Sequence, residues 1–338
     1  MIGHAFRATI ACLSQFRAAR GVGAAALLAV GITVPASAET ITVTHWGSAF
    51  YGAPYAVALE KGFFKKHGVD ITGFLTSAGG GTSVRNMLAG DLPFGEVALP
   101  AAVLAIQAGQ PIKIISGGVE SVGDITWVAK PDTPIAGLAD VKGKKIAYTS
   151  AGSVSNMILL MCLQKAGLDP KAVQTIAAGD IGANLSAVLN GAVDAAFTNE
   201  PLWSQNKTKV KLAFQAKDCT DVNITQTVGV TTTDFATSGA DKLKAIVAAR
   251  KEGVDFIKAN PDEAADIVAK AYNGDPKLYR EVFRNLVAMN YFGDGRLIYP
   301  NLDRMAGGME LVGRLKGKVD WKAMADESFL PAPAPAQR

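Results

Sequence analysis

Histidine and cysteine are scarce, at three of each in 338 residues. His4 and Cys12 lie near the start, and His45, His67, Cys162 and Cys219 are scattered over the rest. Zinc and iron–sulfur centres need such ligands at close, regular spacing, so neither a metal nor a cofactor is expected. Excess charge is missing too: 34 Lys and Arg face 30 Asp and Glu. Nucleic-acid binding would ask for a concentrated basic patch, and none is present. No G-x-S-x-G elbow surrounds a serine. Apart from one short stretch near the N-terminus, no apolar run approaches the ~20 residues that span a bilayer.

That stretch carries its own signal. Arg7, Arg17 and Arg20 precede the apolar run GVGAAALLAVGITV, and PASA (Pro35–Ala38) closes it with small residues around Ser37. A basic segment, a short apolar core and a small-x-small end describe an export leader. Residues 1–38 are therefore expected to be cut before Glu39, placing the mature chain in the periplasm. The leader holds three arginines and no acids, so its removal leaves 31 basic against 30 acidic residues. In an oxidising compartment Cys162 and Cys219 are free to pair. Cys162 sits in the helical pattern MILLMCLQKAG, however, where a buried free thiol is the plainer reading.

The mature chain alternates short apolar runs with helical patterns. ITVTHW (Ile41–Trp46) reads as a strand, Pro54–His67 as a helix, and VDITGFL as a second strand. A glycine turn, GGGTS, then opens another helix. The rhythm restarts near Asp124 with DITWVAK and KKIAYTS. ITQTVGVTTTDFA leads back toward the first unit, and helices dominate afterwards. This pattern predicts an α/β architecture with largely parallel sheets. It predicts two lobes, residues 39–123 with 225–330 and residues 124–224, around a central cleft, and a frayed tail at 331–338. Ligands favour such domain interfaces and the carboxyl ends of parallel strands.

Five segments in order carry a resemblance: GAPYAVALEKGFFKKHGVDI, GGGTSVRNMLAGDLPFGEV, LADVKGKKIAYTSAGS, LNGAVDAAFTNEP and FGDGRLIYPNLDRMAGGMELVGRL. Together they resemble the periplasmic solute-binding proteins of ABC importers, in the nitrate/taurine/alkanesulfonate family that also includes binders of a thiamine pyrimidine precursor. The resemblance runs over essentially the whole mature chain. It implies a type II periplasmic binding-protein fold, two hinge crossings, no catalysis, and a monomer that hands a small solute to an inner-membrane permease served by a separate ATPase. An enzyme or a sensory protein on the same scaffold is the alternative.

Four groups of residues are candidates for the solute. Aromatic residues make up only 7% of the chain, yet several crowd the turn after the first strand. Trp46 and Tyr51 offer flat contact area there, with Gly47 and Ser48 beside them and His45 just before. Gly80, Gly81 and Thr82 open a helix whose N–H groups suit an anion; Thr82 also reads as the helix cap, and Arg85 follows one turn in. Ser150, Gly152 and Ser153 form the matching start in the second lobe. Glu96, Asn199 and Glu200, with Asp124 and Trp203 nearby, argue in the other direction, since carboxylates repel an anion and suit an N–H donor. A sulfonate or carboxylate is the favoured solute, with a nitrogen heterocycle as alternative. Ser153, His45 and Glu96 can be drawn as a triad on paper.

Overall fold

The structure is a computed structural model that describes residues 39–331 apart from positions 78 and 316. The expected leader and most of the expected tail lie outside the described residues.

Strands β1 (Glu39–Val43), β2 (Ile71–Leu75), β3 (Phe94–Ala98) and β4 (Ile112–Gly117) come first. Helices α1 (Ala53–Glu60), α2 (Phe63–Lys66), α3 (Gly80–Ala89) and α4 (Leu99–Gln107) connect them. Then follow β5 (Thr126–Ala129), β6 (Lys145–Tyr148), β7 (Gln174–Ala177), β8 (Ala195–Thr198) and β9 (Lys211–Gln215), with α5 (Val154–Lys165), α6 (Ile181–Leu189) and α7 (Leu202–Asn206). Strand β10 (Thr227–Thr232) precedes α8 (Thr233–Ser238), α9 (Ala240–Ala259), α10 (Pro261–Tyr272), α11 (Pro276–Ala288), α12 (Tyr299–Leu311) and α13 (Trp321–Met324).

The strands form two five-stranded sheets, ordered β2-β1-β3-β10-β4 and β7-β6-β8-β5-β9. The chain leaves the first sheet between β4 and β5 and returns between β9 and β10. The sheets are mixed, not largely parallel as expected: one strand in each is reversed between two neighbours, which makes four parallel and four antiparallel pairs. β10 runs antiparallel to both β3 and β4, and β5 runs antiparallel to both β8 and β9. These two strands adjoin the crossings, where the chain enters each sheet from the opposite side.

The central strands β3, β5 and β8 are buried on both faces, whereas the edge strands β2 and β7 are partly exposed. In the second sheet, Trp127 stacks on Phe214 at 4.8 Å and donates from its indole N–H to the Ala147 carbonyl at 3.0 Å. Beside the first sheet, Phe50 packs edge-on against Tyr279 and Phe283 of α11, with ring centroids 4.9 and 5.0 Å apart.

Three local expectations are corrected. The helix expected over Pro54–His67 is two, because Gly62 takes φ 74° and breaks the run between α1 and α2. The cap of α3 is Gly79, not Thr82, which sits inside the first turn. Cys162 is not a free thiol: it is bonded to Cys219, with Cα atoms 4.9 Å apart, tying α5 to the turn after β9.

Candidate functional site

Strand ends and helix starts from both sheets converge on a small cavity of about 20 Å³. The side of the first sheet contributes Thr44 and His45 after β1, Tyr51, Gly80 at the start of α3, Ala98 and Thr227. The side of the second contributes Thr149 after β6, Ser153 to Ser155 at the start of α5, and Phe197. The two sides meet at the mouth: a Cβ on Gly79 would lie 3.3 Å from Ser150 Oγ, and one on Gly152 3.4 Å from Leu104 Cδ1.

The lining mixes hydroxyls with the apolar Ala98, Val154 and Phe197 and carries no charge. Burial pushes the His45 imidazole down to about 4, against the opposing pull of Asp180, so it is neutral at neutral pH. Ser153 caps α5 by accepting from Asn156 N–H at 3.1 Å, and its hydroxyl lies 3.0 Å from Ser155 Oγ. Ser155 Oγ in turn accepts from Thr149 N–H at 3.0 Å. Other polar atoms there are buried and find no partner among the described residues. Thr44 Oγ1 lies on the lining itself, and Thr198 Oγ1 and both amide atoms of Asn199 follow the lining residue Phe197 along the chain. Buried polar groups are normally paired, so a cluster of unpaired ones at converging strand ends is what a ligand site requires.

Behind the cavity runs a buried hydrogen-bond chain. The Tyr51 hydroxyl donates to Gln226 Oε1 at 2.9 Å, Gln226 Nε2 donates to Asp124 Oδ1 at 2.8 Å, and the Tyr291 hydroxyl donates to Asp124 Oδ2 at 3.0 Å. Gln226 Nε2 also reaches the Ser121 carbonyl at 2.5 Å. One side chain thus joins the outgoing crossing, the returning crossing and the cavity wall. Burial pushes the Asp124 carboxyl up to about 7. The Tyr51 hydroxyl is raised by burial and then by the negative field of Asp124 and Glu96.

The candidate residues separate on this geometry. Tyr51, Gly80 and Ser153 line the inner cavity, and Asn199 lies beside the Tyr51 hydroxyl. Gly80, Gly81, Ser150, Gly152 and Ser153 line an outer groove with Arg85. Thr82 accepts from Arg85 Nη2 at 3.1 Å on the flank of that groove.

Others are engaged elsewhere. Trp46 stacks on Phe74 of β2 at 4.1 Å and meets Tyr272 of α10 edge-on at 5.0 Å. Gly47 is exposed in the turn, and the Ser48 hydroxyl donates to the His45 carbonyl at 3.2 Å. Glu96 forms a buried ion pair with Arg250 Nε at 2.8 Å and accepts from Thr227 Oγ1 at 2.6 Å. Glu200 accepts from the Ser204 hydroxyl at 2.9 Å and faces a separate groove with Asp124, Trp203 and α11. The drawn triad is not assembled, since Ser153 is held by Asn156 and Ser155, and Glu96 by Arg250.

Thr44, Thr149, Thr198, Gln226 and Thr227 escaped sequence reasoning. A signal was present for three of them: VTHW, YTSA and FTNE each place a threonine at the end of an apolar strand. Gln226 carried none, because its role depends on which strands the crossings join.

A protein of Brucella abortus (strain 2308), named as a binding protein, is 31% identical over 231 residues, 67% of this chain and 68% of its own length. The riboflavin-binding protein of Chloroflexus aurantiacus is 25% identical over 301 residues, covering 82% of each. Among solved structures, the alkanesulfonate-binding protein of Xanthomonas axonopodis pv. citri bound to MOPS superposes with a TM-score of 0.72 over 87% of this chain and 99% of its own, at 15% identity. That likeness establishes the periplasmic binding-protein fold. The NMT1/THI5-like family model matches residues 49–264, and with it the chain belongs to the NMT1/THI5-like family.

Proposed function

We propose that this protein is the periplasmic solute-binding component of an ABC importer, exported by residues 1–38 and docking on a permease. The supporting observation is the cavity between the two sheets, lined from both sides by buried polar groups, with unpaired polar atoms on Thr44 at its wall and on Thr198 and Asn199 just after its lining residue Phe197. A solute there satisfies groups on both lobes at once, so its binding energy favours the state in which they touch. Residues 39–123 with 225–330 act as one lobe, 124–224 as the other, and 118–125 and 219–226 as the hinge.

The solute is a small organic molecule with a sulfonate or carboxylate end. The N-termini of α3 and α5 point N–H groups and hydroxyls toward the site, which suits an anion. One observation favours a second reading. The field at Tyr51 is negative and the Asn199 amide both donates and accepts, which suits the N–H and C=O edge of a nitrogen heterocycle. Native mass spectrometry of residues 39–338, purified without refolding, tests the proposal. A stoichiometric small molecule released unchanged on denaturation supports capture and identifies its class. A chemically altered product after incubation with that molecule would count for an enzyme instead.

A further inference from the structure

The second sheet has two unlike ends. One carries the strand ends and helix starts around the cavity. At the other, the register sets Gln174 beside Lys145, Ala195 beside Ile146 and Ala129, and Lys211 beside Ala129. Four connections therefore meet there, over residues 130–144, 166–173, 190–194 and 207–210. With the adjoining Lys145 and Lys211 they hold eight lysines and four aspartates, and neither arginine nor glutamate. This end carries four excess positive charges, although residues 39–338 together carry only one.

The lysines are not neutralised in place. Lys142, Lys145, Lys171, Lys207 and Lys209 are exposed. Among the described residues only Lys130 of the eight has an acidic partner, Asp132 at 3.9 Å. The other aspartates are turned onto their own loops: Asp140 accepts from Ala136 N–H, Asp169 from Lys171 N–H and Asp194 from Lys145 N–H. Lys61, Lys66, Lys251 and Lys270, in contrast, each hold a carboxylate within 2.8 Å. An unpaired cationic face attracts an anionic one. Lysine is a compact charge on a flexible stem, whereas the arginine fork fits a fixed carboxylate. A face built of lysine alone suits a fluid array of phosphates better than the set carboxylates of a protein. We propose that this end of the second sheet docks on a bilayer whose headgroups carry negative charge. The cavity lies at the opposite end of β6, about 13 Å away at the rise of an extended strand, so a chain held this way keeps its cavity clear of the headgroups. The inference holds whichever solute the cavity takes.

The test is cosedimentation of residues 39–338 with phosphatidylcholine vesicles, with and without phosphatidylglycerol. Binding is expected only where phosphatidylglycerol is present. It should be lost as salt rises from about 0.05 M to about 0.5 M, where screening shortens to about 4 Å. The combined variant Lys142→Gln, Lys145→Gln, Lys171→Gln and Lys209→Gln should weaken partitioning roughly a hundredfold or more, since each lysine near such a surface is worth about fivefold. Lys244→Gln, Lys258→Gln, Lys277→Gln and Lys322→Gln together remove the same charge from other exposed positions and should leave binding as in the wild type. Thermal midpoints check that both variants fold, and the wild-type vesicle series decides the matter if either does not. No binding to phosphatidylglycerol vesicles at low salt would overturn the proposal, as would equal weakening in the two variants. Capture by immobilised polyglutamate without capture by vesicles would also overturn it, in favour of an acidic protein partner.

Discussion

At the scale of single residues, the unpaired Asn199 amide separates stability from binding. A buried polar group without a partner costs about 1–3 kcal/mol, and Asn199 is fully buried with both amide atoms unpaired. Asn199→Leu keeps the volume and removes the unpaired atoms. It is expected to leave stability unchanged or raise it by about 1 kcal/mol, while solute affinity falls at least tenfold, roughly 1.4 kcal/mol. Urea unfolding and calorimetry on the same preparation check both halves, and a variant that loses stability while keeping affinity would assign Asn199 to the fold instead. Arg250 makes the opposite case. Its guanidinium is buried, paired with Glu96 and donating to the Gly293 carbonyl at 2.8 Å. Arg250→Met leaves a buried carboxylate uncompensated and is expected to cost about 3–5 kcal/mol, with Arg250→Met combined with Glu96→Gln recovering part of the loss. Denaturant midpoints of the single and double variants measure that coupling.

At the scale of elements, the outgoing crossing carries two buried carboxyls, each hydrogen-bonded to a side chain of the returning crossing. Asp124 faces Gln226, Tyr291, Tyr51 and Glu200, and Glu120 faces Thr225 and Asn301 with Arg250 and Asp294 in range. Burial pushes both carboxyls up to about 7. Below about pH 4 the native and unfolded chains both hold these protons, and neither group shifts the balance. As pH rises toward 7 the unfolded chain ionises freely while the native groups retain their protons, so native stability falls; above 7 the loss levels off. Asp124→Asn is expected to flatten that slope, as urea midpoints between about pH 4 and pH 8 will show. A slope unchanged from the wild type would mean that Asp124 ionises as freely in the native state as in the unfolded chain.

The elements also show what the sequence made legible. Apolar runs and glycine turns located most strands and helices, because their periodicity is local. The starts of α3 and α5 were legible for the same reason. Trp46 was not, because His45 at φ 53° and Gly47 at φ 83° turn the chain so that the indole meets Phe74 and Tyr272. Glu96 looked like a cleft carboxylate because its partner Arg250 lies on α9, and no local pattern joins the two. Gln226 gained its meaning only once two crossings ran side by side.

At the scale of the whole molecule, the disulfide and the solute act on the same part of the fold. The Cys162–Cys219 bond closes a loop across 57 positions, anchoring α5 beside the returning crossing. The chain-entropy argument gives about 4 kcal/mol as the most that such a loop contributes. Cys162→Ala with Cys219→Ala is therefore expected to lower unfolding stability by up to that amount, with the loss concentrated in the second sheet. The starts of α5 and of α3 both line the proposed site, so a bound solute holds α5 from its other end. Saturation at a hundred times Kd adds about 2.7 kcal/mol to the native state and should recover much of the deficit in the disulfide-free variant. Paired thermal and urea unfolding, with and without solute, measures this. Equal stability of the two proteins without solute would show that packing alone fixes α5. A disulfide-free protein that still folds but gains nothing from solute would show that the helix start must be held by the covalent link before it can receive its ligand.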